Sequence, residues 1–181
     1  MPGGVVSPDD DAPDLLHRVA ARQDIAEVLA RYCRGIDRCD ADELNRVFAD
    51  DASIDYGSGA QGKATTCAGL LEAVGTMRLT QHAISNIIIE FDGSRARAET
   101  YCVALHIFGE PGSETEMTVG GRYLDTLDRR AGEWRIVERL YVMDWNRQGP
   151  ATMRVAGGLY DILQRRGGRK PDDPLYRWRA A

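Results

Sequence analysis

The sequence predicts an α+β domain in which helices come first and a mostly antiparallel sheet follows. Before Gly75, apolar residues recur at three- and four-residue steps. After Gly75 come four long strand-like runs, with turn signals between them at Asp92-Gly93, Gly109–Gly112 and Arg130-Ala131-Gly132. Helices do not alternate with these strands, so hairpins and not parallel crossovers connect them.

The elements follow in order. From Asp14, a plausible N-cap, to about Asp37, the residues Leu15, Leu16, Val19, Ile25, Val28, Leu29, Tyr32 and Ile36 mark one helix. Ala41 to Phe48 is a second, short helix, and Ala52 to Tyr56 is strand-like. Lys63 to Val74, with Leu70, Leu71 and Val74, is a third helix. The long strands are Gln81–Phe91, Ala96–Phe108, Met117–Leu127 and Trp134–Trp145. Beyond Gly149 a helical patch at Met153–Leu163 precedes a basic end whose run Arg165-Arg166 to Lys170 is expected at the surface or in a subunit contact. The division is therefore an acidic lead (1–13), one domain (14–148) and a tail (149–181) that contacts the pocket or another subunit.

Composition narrows the function. With 181 residues, 43% of them hydrophobic and 28% charged, the chain buries a real core and is not disordered. A net charge of −5 argues against nucleic acid as a partner, because phosphate binding needs a basic face. No apolar run approaches the roughly 20 residues of a membrane-spanning helix, and the lead MPGGVVSPDDDAPD has Asp where a secretory signal needs Lys or Arg. Cys33, Cys39, Cys67 and Cys102 show neither CxxC nor zinc spacing, which fits reduced thiols in the cytoplasm.

Gly57-Ser-Gly59-Ala-Gln-Gly62 matches the dinucleotide fingerprint G-x-G-x-x-G. That fingerprint works through a parallel βαβ unit, which puts a helix N-terminus on a pyrophosphate. A meander follows here, so the segment reads as a glycine loop between strand and helix, and no cofactor is expected.

The candidate chemistry lies in ionisable residues embedded in apolar segments. Asp37 closes the first helix, His82 opens the first long strand and His106 lies late in the second. Arg139 sits in the last strand, and Tyr32, Tyr56 and Tyr101 add hydroxyls. Alternation places Val137, Arg139, Tyr141, Met143 and Trp145 on one face, Thr100, Cys102, Ala104 and His106 on another, and His82, Ile84, Asn86 and Ile88 on a third. Singly, each has an ordinary structural role: a strand histidine is usually a satisfied core residue, and an arginine usually pairs with a neighbouring acid.

Together, Ile25-Ala-Glu-Val-Leu-Ala-Arg-Tyr32-Cys-Arg-Gly-Ile-Asp37, Asp42-Glu-Leu-Asn-Arg-Val-Phe48-Ala-Asp-Asp51-Ala-Ser-Ile-Asp-Tyr56, Gln81-His82 and Gly132-Glu-Trp134-Arg-Ile resemble the SnoaL-like branch of the NTF2-like superfamily. The resemblance spans about residues 15 to 147. It implies a cone: a curved sheet wrapped around about three N-terminal helices, enclosing an apolar pocket. Within the branch, scytalone dehydratase, hexachlorocyclohexane dehydrochlorinase and bile-acid 7α-dehydratase share an Asp–His pair that Asp37 and His82 match. Arg139 matches an arginine of the latter two, Tyr32 a tyrosine of the bile-acid enzyme, and Tyr56 and His106 a tyrosine and a histidine of scytalone dehydratase. Ile36, Gly121 and Tyr123 depart from the last enzyme's pattern, which argues against scytalone as the substrate.

The resemblance implies β-elimination on a small hydrophobic cyclic compound such as a steroid or polyketide, with no metal or cofactor. His82 would be the general base, oriented by Asp37. Arg139 and Tyr32 would stabilise developing negative charge, and Tyr56, His106, Leu29, Ile84, Val103, Met143 and Trp145 would hold the ring. A homodimer or homotrimer is implied as well. Ketosteroid-isomerase-like proton transfer and a non-catalytic ligand-binding or assembly subunit are the alternatives.

Overall fold

The computed structural model describes residues 12–180. Its elements are α1 (Ala12–Asp37), α2 (Ala41–Val47), β1 (Phe48–Asp55), β2 (Gln61–Gly62), α3 (Lys63–Gly75), β3 (Leu79–Asp92), β4 (Arg95–Phe108), β5 (Thr115–Arg130), β6 (Glu133–Pro150), α4 (Leu159–Ile162) and α5 (Pro174–Ala180). Most of the expected acidic lead lies outside the described residues. Its last two residues, Ala12 and Pro13, belong to α1, so Asp14 sits in the first helical turn and not at the cap.

Among the described residues the strands form one six-stranded sheet in the order β2-β1-β6-β5-β4-β3. Strands β3 to β6 form a meander of antiparallel hairpins, and β1 joins β6 in parallel. This is the α+β architecture the sequence predicts: helices on one face of a curved, mostly antiparallel sheet. The β5–β6 turn centres on Ala131 and Gly132, whose φ values of +51° and +87° are the paired positive angles of a type I′ hairpin.

The core forms where α1 lies on the sheet. Ile25, Leu29, Tyr32, Cys33 and Ile36 make a stripe that packs with Ala98, Cys102, Tyr123, Leu127 and Ile136. Burying each large side chain contributes about 1.5–3 kcal/mol. Leu15, Leu16 and Val19 continue the apolar periodicity but are exposed, because α1 meets the sheet only from about Ile25 onward. Gly35 lets α2 cross close to α1, since a Cβ there would lie 2.8 Å from Leu44 Cδ2. Asp40 caps α2 by accepting from the amides of Asp42 and Glu43 at 3.1 and 3.3 Å, a contact worth about 1 kcal/mol. Glu43 is buried between Arg31 and Arg34; burial alone would raise its pKa, but the two guanidiniums outweigh it and hold the carboxyl below its usual range.

The glycine loop of residues 57–62 folds back on β1. Asp55 Oδ1 accepts from the amides of Gly57 (2.6 Å) and Gly59 (3.2 Å), and β2 pairs antiparallel with β1. The tail departs from expectation in detail: only Leu159–Ile162 of the helical patch is helical, and α5 is a further helix that the sequence does not predict. Lys170, in the basic run expected at the surface or a subunit contact, turns back onto its own chain. Its amide donates to the Arg38 carbonyl at 2.8 Å, and its Nζ pairs with Asp40 and Asp42, each at 2.8 Å.

Candidate active site

Register sorts the sheet's helix-facing side into cross-strand rows. His82 pairs with Ala104, which pairs with Val119. The next row is Ile84–Cys102–Gly121–Met143, followed by Thr100–Tyr123–Tyr141 and then Ala98–Asp125–Arg139. Ala104 and Ala98 are six residues apart on β4, which at 3.3–3.4 Å per residue separates the first and last rows by roughly 20 Å along the strand.

The first row meets the end of α1. Asp37 is the last residue of that helix, and His82 lies in the strand packed beside it. Asp37 Oδ1 lies 2.7 Å from His82 Nδ1, and Asp37 Oδ2 accepts from the His82 amide at 2.9 Å. Both carboxylate oxygens are thus used on one residue, which fixes the ring's distance and its orientation. The side chains are 10% and 9% exposed, so little water competes for the contact. A carboxylate at Nδ1 selects the tautomer with the proton there and leaves Nε2 as the basic atom. His106 packs edge-on against His82, with ring centroids 5.4 Å apart, and its buried Nδ1 has no partner among the described residues. Burial, then the neighbouring His82, lower the His106 pKa.

A second cluster surrounds Arg139. Its guanidinium is fully buried and grips Asp125 with two 2.7 Å hydrogen bonds. The cation lies between the rings of Tyr32 and Tyr123, 4.0 and 4.1 Å from their centroids. The hydroxyls of Tyr32 and Tyr56 hydrogen-bond to each other. That bond uses one of two O–H protons and leaves one for a ligand oxygen. Burial raises both phenol pKa values despite the nearby Arg139, so both stay protonated donors at cellular pH. Cys33, one turn before Asp37, is pushed up to about 12 by burial and by Cys102, and remains a neutral thiol.

Asp37, His82 and His106 are therefore together, as are Tyr32, Tyr56 and Arg139. Arg139 bonds Asp125 and no member of the histidine pair. Asp125 lies in β5 among alternating apolar and polar residues and is not among the residues expected at the site; the signal for it in the sequence is an acid able to lie opposite an inward arginine.

Several expected pocket residues lie elsewhere. Leu29 is fully buried core. Ile84 keeps its place beside His82. A bulge at Asp144 breaks the expected alternation of β6, so Met143 still faces inward but is 57% exposed. Trp145 moves to the outer face, where its ring covers Gly120, and it is 44% exposed. Val103 and Tyr101 also face outward. A bulge at Asn86 (φ +49°) turns Ile88 outward and brings Ile89 into the core. Among the described residues, no three His, Cys, Asp or Glu side chains converge as a metal-ligand set, and no helix is long and apolar enough to cross a membrane.

Helices packed on a strongly curved meander, with an acid–imidazole pair where the first helix ends, define a recognisable class of domain. Residues 17–140 match the SnoaL-like domain, and the chain belongs to that family, with the fold of the NTF2-like superfamily. A curated relative is an uncharacterized protein of Mycobacterium tuberculosis (Rv2910c), 29% identical over 125 residues that cover 67% of this chain and 84% of the relative. Among solved structures, a putative scytalone dehydratase from Novosphingobium aromaticivorans is 24% identical with a TM-score of 0.64, over 76% of this chain and 91% of that one. Hexachlorocyclohexane dehydrochlorinase LinA-type3 from Novosphingobium barchaimii is 19% identical with a TM-score of 0.68, over 79% and 99%. At these identities the structural likeness concerns the fold.

Proposed function

We propose that this chain is a cofactor-independent lyase that carries out a dehydratase-type β-elimination on a small hydrophobic cyclic substrate. The observation that carries the proposal is the double engagement of His82 by Asp37, at 2.7 and 2.9 Å. With its proton held at Nδ1, the imidazole offers Nε2 to a carbon-bound proton next to a carbonyl. Asp37 stabilises the imidazolium that forms, as the acid of a catalytic triad does. General-base catalysis of this kind contributes roughly 10²–10⁴-fold. The enolate collapses by expelling the β-hydroxyl, which takes the proton held by the His82 imidazolium and leaves as water, so the base returns to its neutral form.

The tyrosine pair supports the first half of the reaction, in which the enolate forms. Buried, protonated phenols next to a fixed cation suit a carbonyl oxygen that gains negative charge. Arg139 then acts through Tyr32 and Tyr56, its own charge being matched by Asp125. The names of the structural neighbours, a putative dehydratase and a dehydrochlorinase, describe eliminations and agree with this reading.

A homo-oligomer formed through the outer sheet face is part of the proposal. Ile88, Tyr101, Val103, Leu140 and Trp145 are exposed there, an apolar set that a second copy would cover.

The test is a panel of cyclic β-hydroxyketones, steroid and polyketide in type, followed by the absorbance of the conjugated enone. The wild-type chain should dehydrate at least one, and His82→Ala should lose the activity while keeping its circular dichroism. Equal turnover by His82→Ala would discard the lyase reading.

A further inference from the structure

The tail reaches the dyad from behind. Arg169 Nη1 donates to the main-chain carbonyl of Asp37 at 2.5 Å and to Thr80 Oγ1 at 3.0 Å. Its Nη2 donates to the carbonyls of Val74 at 2.9 Å and Met77 at 3.3 Å. These acceptors lie at the C-terminal end of α1 (Asp37), the C-terminal end of α3 (Val74), the turn after it (Met77) and the start of β3 (Thr80). Carbonyls in a last helical turn lack intrahelical partners and carry the negative end of the helix dipole, so a half-buried cation with several donors suits them. Asp37 is one of the residues bonded, and Thr80 precedes His82 by two positions. One planar group thus ties together the two segments that carry the acid and the base.

Arg169 is itself held in place. Asp173 Oδ2 accepts from the Gly168 amide at 2.8 Å and pairs with Arg38 at 3.1 Å, and the Tyr176 hydroxyl donates to Asp40 at 2.9 Å. The contacts of Lys170 with Arg38, Asp40 and Asp42 close the same loop onto α1 and α2.

We propose that Arg169 is a positioning residue for the Asp37–His82 pair. By fixing the Asp37 main chain against the start of β3, it sets the angle at which the carboxylate meets the imidazole. It touches neither the reacting atoms nor the base. Lysine cannot replace it, because an ammonium lacks the planar fork that spans three segments at once. The inference rests on the dyad having the role given above.

The experiment uses the full chain with ¹⁵N-labelled histidine at about pH 8. Imidazole ¹⁵N shifts report the tautomer of His82, and solvent exchange of its Nδ1 proton reports the grip of Asp37. The wild-type chain should hold the proton on Nδ1 and exchange it slowly. Arg169→Gln and Arg169→Lys should each speed that exchange by roughly ten-fold or more, the effect of weakening a hydrogen bond to a charged group. Lys170→Gln, which removes a different tail contact, should leave it within about two-fold. On any substrate the panel yields, Arg169→Lys should lower kcat with KM nearly unchanged. Should Arg169→Gln fail to fold, Arg169→Lys decides. Wild-type exchange in the folded variant, or equal loosening by Lys170→Gln, overturns the positioning role. An unprotected Nδ1 in the wild-type chain would instead overturn the dyad.

Discussion

Asp37 holds His82 by two separate atoms, the ring Nδ1 at 2.7 Å and the main-chain amide at 2.9 Å. A carboxylate that met only the ring could pivot about that one contact. The amide contact also locks the strand to the end of the helix, so the acid sets both where the base sits and which nitrogen is free.

Asp37→Asn should therefore separate chemistry from folding. The amide keeps the size of the side chain but no longer favours a proton on Nδ1. Turnover should fall by roughly 10²–10⁴-fold, while Tm drops only about 2–4 °C. Steady-state kinetics and thermal unfolding of the same sample check both halves.

Arg139 and Asp125 should behave as a buried pair. Arg139→Met leaves Asp125 buried without its cation and should cost about 3–5 kcal/mol in urea unfolding. Adding Asp125→Leu should recover most of that loss, because the desolvation penalty disappears together with the charge. Equal instability of the single and double variants would contradict the pairing.

His106 gives a pH dependence with a definite sign. Burial and the adjacent His82 place its pKa below the ordinary value of 6.5. Between the two values the unfolded chain binds the proton and the native chain does not. Its contribution to stability is therefore complete above about pH 6.5 and declines as pH falls through the window just below. Urea unfolding at about pH 7.5 and about pH 5.5 should show a smaller loss for His106→Gln than for the wild-type chain.

Ala131 occupies a left-handed position, φ +51°, in the β5–β6 hairpin. A non-glycine residue there costs roughly 1–2 kcal/mol, and asparagine adopts the conformation more readily. Ala131→Asn should raise Tm by about 2–4 °C. An unchanged or lower Tm would show that the turn carries no such strain.

Local signals made most of the architecture legible. The 3.6-residue stripe of α1, the glycine and Asp-Gly turns and the long β-like runs each predict an element that forms, because each depends on neighbours in sequence. The boundaries moved mainly by lengthening: β5 runs from Thr115 to Arg130, since paired strands extend each other past the apolar stretch. The Asp37–His82 match came through family resemblance, as neither residue stands out alone. Bulges were not legible. The extra residues at Asn86 and Asp144 reverse the facing of Ile88 and Trp145, and period-two alternation has no means of showing an inserted residue. Partners distant in sequence were also hidden. Nothing near Arg169 indicates that it bonds Asp37, 132 positions away, and nothing near Arg139 selects Asp125 over other acids.

The central claim is that His82 removes a proton from carbon, and deuterium uptake measures that step directly. A cyclic ketone that the panel shows to bind is incubated in D₂O, and the loss of its α-proton signal is followed by ¹H NMR. The wild-type chain should catalyse the exchange, and His82→Gln should slow it by roughly 10²-fold or more. Exchange at the wild-type rate in His82→Gln would contradict the account.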